Sequence, residues 1–99
     1  MPFSEEIIQK VWEKGTIVPN CDKAEWRKDQ CTAWINRNQY GNRNSIYGWE
    51  IDHIKSVANG GGDELSNLRP MQWQNNLHTS DGRLKCLIIS DGNKNMEKK

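Results

Sequence analysis

Ninety-nine residues allow one small domain with a short appendage, and a chain that short hides only about 60–65% of its unfolded surface. Fourteen Lys plus Arg against thirteen Asp plus Glu leave a net charge of +1, which fits neither a uniformly basic nucleic-acid glove nor an acidic disordered tail. The 34% apolar content includes five Trp, which offset a mean hydropathy of −0.95, and no apolar run approaches the roughly 18 residues of a membrane span.

The opening Met1-Pro2-Phe3-Ser4-Glu5-Glu6 lacks the basic-then-apolar order of a signal peptide. The default expectation is a cytoplasmic address, of a cell or of something replicating inside one. Ser4 can cap a first helix, with Glu5 and Glu6 in its first turn and Gly15 as its stop. Phe3 and Ile8 have hydrophobic-staple spacing, and Ile7, Ile8, Val11 and Trp12 form one apolar stripe. This helix is expected to lie across a thin core as a lid. Pro19-Asn20 marks a turn in the connector from Thr16 to Asp22. Residues 23–28 read as helical or irregular turn, and residues 31–36 as a short strand after a turn at Asp29. The polar stretch Asn36 to Ser45, with Arg37 and Arg43, reads as an exposed loop able to touch phosphates.

From Ile46 onward a two-residue alternation appears, Tyr47, Trp49, Ile51 and His53 against Gly48, Glu50, Asp52 and Ile54, which predicts a strand. The following loop holds Gly60-Gly61-Gly62. Leu68 to Met71 reads as a short strand with Pro70 at an edge or end, and Gln72 to His78 as a short helix ended near Asp81-Gly82. Leu84 to Ile89 is a last apolar segment, and residues 91–99 are expected to fray. Cys21, Cys31 and Cys86, at spacings of ten and fifty-five, suggest neither a disulfide framework nor a zinc knuckle and read as free thiols in a reducing compartment.

Charge is unevenly spread. Residues 50–67 carry a net −3, and the flanking segments 27–49 and 68–99 carry +3 each. A cation-assisted phosphate site needs such an acidic patch between basic ones. At the frayed end of a strand, the adjacent Asp52 and His53 can approach one cleft. Asp52 offers a hard oxygen ligand, and His53 an imidazole suited to taking a proton from water at neutral pH. A helix returning beside them would bring Asn75, Asn76 and His78, with an amide oxygen to complete the protein part of a cation site. Phosphodiester hydrolysis asks for these parts. Singly, an Asp-His pair is an ordinary surface pair and an Asn-rich helix is ordinary polar surface; their combination points to chemistry.

That combination resembles the HNH nuclease superfamily with its ββα-metal core. Trp49-Glu50-Ile51-Asp52-His53-Ile54 is similar to its first strand, and Gly60-Gly61-Gly62-Asp63-Glu64-Leu65-Ser66-Asn67-Leu68-Arg69-Pro70 to the stretch that opens its second. Asn76, nine residues after Asn67, falls where the helix supplies a metal-binding His or Asn. The triple glycine and Trp73 resemble small stand-alone bacterial and phage members. The resemblance implies an α+β fold, a small HNH domain of antiparallel hairpin and short helix with an added N-terminal helix. A single domain would span residues 1–90, with its core motif about 47–80.

By that resemblance Asp52 and Asn76 would hold one divalent cation, magnesium or manganese, with nickel or zinc if an imidazole also binds. His53 would be the general base, oriented by a backbone carbonyl on its other nitrogen. Asn67 would tie the long loop to the backbone. A second helix ligand would fall at Ser80, a poor donor, and His78, a candidate ligand or phosphate contact, would reach the site only from a distorted helix. Many members carry two zinc-binding Cys-x-x-Cys knuckles. Here Gln72 and Asn75 stand where the second would sit, so no structural zinc is expected and Trp49, Trp73, Leu77 and the first helix carry its burden. Thr79 replaces a phosphate-binding lysine, leaving Arg37, Arg43, Arg69 and Arg83 as the substitutes. Asp63 would brace the next turn, and Glu50 would be a solvated residue or a support for the site.

The implied activity is endonuclease cleavage of nucleic acid, double-stranded DNA first, leaving a 5'-phosphate and a 3'-hydroxyl, in the cytoplasm of a bacterial or phage-infected cell. Affinity would be salt-dependent, and the low net charge points to weak unaided binding, a small footprint or help from a partner protein; a homodimer would place two sites for a double-strand cut, and no membrane role is expected. A non-catalytic nucleic-acid-binding protein on the same scaffold is the alternative. A third reading is a small protein-binding adaptor, which joint exposure of Trp12, Trp26 and Trp34 would favour.

Overall fold

In the computed structural model, which describes residues 3–79 and 83–99, the chain begins with α1 (Glu5–Trp12). The Ser4 hydroxyl accepts from the Ile7 amide at 3.2 Å, capping the helix as its sequence predicts. Ile8, Val11 and Trp12 are buried and meet Ile35, Trp49, Ile51 and Leu68 in one core, with Phe3 and Ile7 packed at its margin. The Trp12 and Trp49 rings lie 5.3 Å apart, and Tyr40 closes on Trp49 at 4.9 Å.

The segment read as helical or irregular turn instead enters a strand: β1 (Trp26–Lys28) pairs antiparallel with β2 (Trp34–Asn36), Arg27 opposite Ile35. Its inward residue is a charge, so apolar alternation could not reveal it. Arg27 is buried because its guanidinium donates to the carbonyls of Lys23, Glu13 and Gly15, each at 3.0 Å, which closes the end of α1. The stretch expected as an exposed loop contains a 3₁₀ turn at Arg37–Gln39 and a bridge from Tyr40 to Trp49.

β3 (Trp49–His53) and β4 (Leu68–Gln72) form the central hairpin, with Glu50 opposite Met71, Asp52 opposite Arg69 and His53 opposite Leu68. Pro70 sits in mid-strand, opposite Ile51, rather than at an end. β4 has β3 as its only strand partner among the described residues, so the missing N–H falls on an unpaired edge. α2 (Trp73–His78) follows at once, and the Gln72 side chain caps it by accepting from the Gln74 and Asn75 amides at 2.8 and 3.1 Å. The expected helix end near Asp81-Gly82, and Ser80, lie outside the described residues.

The last residues do not fray. β5 (Ile88–Asp91) and β6 (Lys94–Glu97) make a hairpin turned at Gly92, whose φ is +62°. Asn95 fastens it to β2, accepting from the Trp34 amide at 2.6 Å and donating to the Trp34 carbonyl at 2.8 Å. Cys31 and Cys86 are joined in a disulfide, and Cys21 is free. The expectation of three free thiols fails because sequence spacing says nothing of proximity: folding brings the loop after β1 against the segment before β5, with Cα atoms 5.3 Å apart. Among the described residues the domain is α+β, with two helices and three two-stranded antiparallel sheets, and no helix is long and apolar enough to cross a membrane.

Candidate functional site

Strand alternation divides the central hairpin. Trp49 and Ile51 face the core under α1, and Glu50, Asp52, Arg69 and Met71 share the opposite face. α2 packs on β3 and β4, and the Asn76 amide donates to Glu50 Oε1 at 2.9 Å, which places that residue on the Glu50–Asp52 side. Residues 50 and 52 are separated along the strand by about 6.8 Å. With its Nδ2 given to Glu50, Asn76 keeps Oδ1 as a donor to a cation.

Both carboxylates hold arginines. Arg43 meets Glu50 with two bonds, Nε to Oε2 at 2.6 Å and Nη2 to Oε1 at 2.9 Å. Burial alone would raise the Glu50 carboxyl, but the bonds from Arg43 and Asn76 together outweigh it and hold the group below its ordinary range. Arg69 donates from Nε to Asp52 Oδ2 at 2.7 Å and from Nη1 to Gln30 at 2.9 Å, and its buried Nη2 has no partner. One guanidinium bond to Oδ2 leaves Asp52 a second oxygen. The resulting donor set, a carboxylate and a carboxamide oxygen, suits magnesium or manganese. Among the described residues no three His, Cys, Asp or Glu side chains gather as a metal cluster.

His53 is the last residue of β3 and leaves from the face opposite Asp52. Its Nε2 lies 2.7 Å from Asp63 Oδ1, so a carboxylate stands where a backbone carbonyl was expected. Phe3 flanks the ring at 6.3 Å. Asn67 accepts from the Lys55 amide at 2.8 Å and donates to the carbonyls of Lys55 and Gly62 at 3.1 and 2.8 Å. That side chain draws the ends of the loop together beside His53. Gly61 is required there, since a Cβ would stand 1.8 Å from the Lys55 carbonyl oxygen.

The other candidates separate. Arg43 adjoins the site and stacks over Trp73 at 5.8 Å; Arg69 is buried beneath it. Arg37 is committed to α1, donating to Gln9 at 2.9 Å and pairing with Glu5 at 3.5 Å. His78 and Arg83 are exposed. Leu77, expected to help fill the core, is 54% exposed. Trp12 and Trp34 are buried, so the joint tryptophan exposure that would favour an adaptor is not present.

Sequence reasoning missed the residue that seats α2. Asp29 is buried and accepts four N–H bonds: Cys31 and Ala33 amides at 2.9 Å on one oxygen, the Gln72 amide at 2.9 Å and Asn75 Nδ2 at 3.1 Å on the other. Burial pushes its carboxyl up against the pull of those four donors. Asn75 also donates to the Ile88 carbonyl at 3.0 Å and accepts from the Leu87 and Ile88 amides at 2.8 Å. At positions 72 and 75 the side chains are thus amides spent on hydrogen bonds, a donor set that does not fit zinc. The visible signal was the turn at Asp29 together with two amides three residues apart.

No family model matches the chain, and no curated protein or solved structure matches it. The molecule is accordingly defined by its geometry: an α+β domain whose hairpin and following helix present a carboxylate and a carboxamide on one face, beside a carboxylate-bound histidine.

Proposed function

We propose that this chain is an HNH-type endonuclease that hydrolyses phosphodiester bonds in DNA with one divalent cation. The observation that carries the reading is the Asn76–Glu50 bond, which sets α2 on the same hairpin face as Asp52, one residue from His53. Asp52 and Asn76 would hold the cation, whose chemistry there is to neutralise charge on the phosphoryl group and stabilise the departing oxygen. His53 takes the proton of the attacking water. Asn67 fixes the loop that follows the histidine, and Glu50, braced by Arg43, turns the Asn76 amide so that its oxygen is free. Arg43, half exposed at the rim, and Arg83 are the phosphate contacts that the surface leaves accessible. The product ends would be a 5'-phosphate and a 3'-hydroxyl.

Arg69 on Asp52 favours a second reading, binding without cleavage, because an arginine already neutralises the carboxylate that a cation would use. One experiment separates them: supercoiled, linear and single-stranded DNA incubated with magnesium, manganese, nickel or zinc, with and without chelator. Cation-dependent nicking by the wild type and none by His53→Ala supports the nuclease. Salt-sensitive binding with no cleavage under any cation supports the alternative.

A further inference from the structure

The geometry points to Asp63 as a positioning residue for His53, the two forming a carboxylate–histidine pair; this rests on the nuclease reading of the site. Nε2–H donates to Asp63 Oδ1 at 2.7 Å, which leaves Nδ1 as the nitrogen with a free electron pair. The loop before Asp63 is built to deliver that carboxylate. Gly60 has φ of +91°, Gly61 passes against the Lys55 carbonyl where a side chain has no room, and the Gly62 carbonyl is held by Asn67 at 2.8 Å. Three consecutive glycines, each placed by such a constraint or contact, end at Asp63. The triple glycine thus serves to aim an acid at the histidine, beyond simply spanning the gap between two strands.

A loop-delivered carboxylate differs from a neutral carbonyl in what it does during the reaction. Water gives its proton to Nδ1, its oxygen forms the new bond to phosphorus, and the bond from phosphorus to the 3' oxygen breaks, with solvent protonating that oxygen. The ring becomes an imidazolium, and Asp63 meets the new positive charge through Nε2–H. The carboxylate also fixes which nitrogen carries the proton beforehand.

The test uses the full chain labelled with ¹⁵N-histidine, His78→Gln serving to assign the two rings. In mildly alkaline buffer wild-type His53 is expected to show one tautomer, protonated at Nε2, and Asp63→Ala to move both ring nitrogens toward averaged shifts. Asp63→Glu restores the wild-type pattern. On DNA, Asp63→Ala lowers kcat about 10- to 100-fold with KM and manganese affinity unchanged, and Asp63→Glu recovers part of the loss. Unchanged ring-nitrogen shifts in Asp63→Ala, or wild-type kcat, overturn the assignment. Should the wild type cleave no DNA, the nuclease reading falls, and the nitrogen shifts alone decide whether Asp63 sets the ring.

Discussion

Truncating Asn75 to alanine is the most demanding perturbation of this structure. The side chain is fully buried and makes four bonds, to Asp29 Oδ2, the Ile88 carbonyl and the amides of Leu87 and Ile88. At a net contribution of about 1 kcal/mol for each bond, the loss is about 4 kcal/mol. The four groups left behind lie where water enters poorly, which adds to the cost, while one water in the vacated space would recover some of it. A loss of about 3–5 kcal/mol takes a large share of the 5–15 kcal/mol typical of a domain. It lowers Tm by on the order of 12–40 °C at roughly 4–8 °C per kcal/mol. Thermal unfolding followed by circular dichroism measures it directly. Asn75→Asp keeps the acceptor but sets a second carboxylate beside Asp29, so it is expected to fare no better at neutral pH. A Tm within about 3 °C of wild type, less than 1 kcal/mol on the same scale, would show that the hydrogen bonds around Asp29 do not hold α2 in place.

The disulfide joins residues 55 apart, and closing a loop of that length constrains the unfolded chain by about 4 kcal/mol. Cys31→Ala with Cys86→Ala should therefore destabilise the fold by that order in urea, and the native oxidised chain should show one reactive thiol, Cys21; three titrating thiols would contradict the pairing. Acid should weaken the wild type through Glu50. A carboxyl held below its ordinary range stabilises the fold above its unfolded value, and the contribution disappears as pH falls through the folded one. Glu50→Gln should flatten that acid limb of the urea midpoint against pH, and an unaltered limb would show that Arg43 and Asn76 do not stabilise the charge.

The parts of the fold that were legible in the sequence are those governed by local chemistry. The Ser4 cap and apolar stripe defined α1, the alternation from Trp49 to His53 defined β3, and the short amide-rich run defined α2. Helix order alone left Asn75, Asn76 and His78 open beside Asp52, and only the resemblance singled out Asn76. What stayed hidden depends on partners distant in sequence. β1 turns inward with Arg27, whose Nη1 donates to the distant Glu13 and Gly15 carbonyls past the end of α1. The second strand of the terminal hairpin is mostly polar, and the hairpin is fastened by Asn95 reaching β2, 61 residues away. Asp29 looked like a turn residue because its four donors come from two separate stretches of chain. Asp63 reads as a brace for the next turn, whereas its carboxylate reaches back ten residues to His53.

The most direct test is manganese titration calorimetry on wild type, Asp52→Ala, Asn76→Ala and the double variant. If one cation sits between strand and helix, the wild type binds a single ion and each single variant loses most of the affinity. The double variant then loses little more than either, since the two side chains serve one site. Wild-type affinity in either single variant would contradict the account.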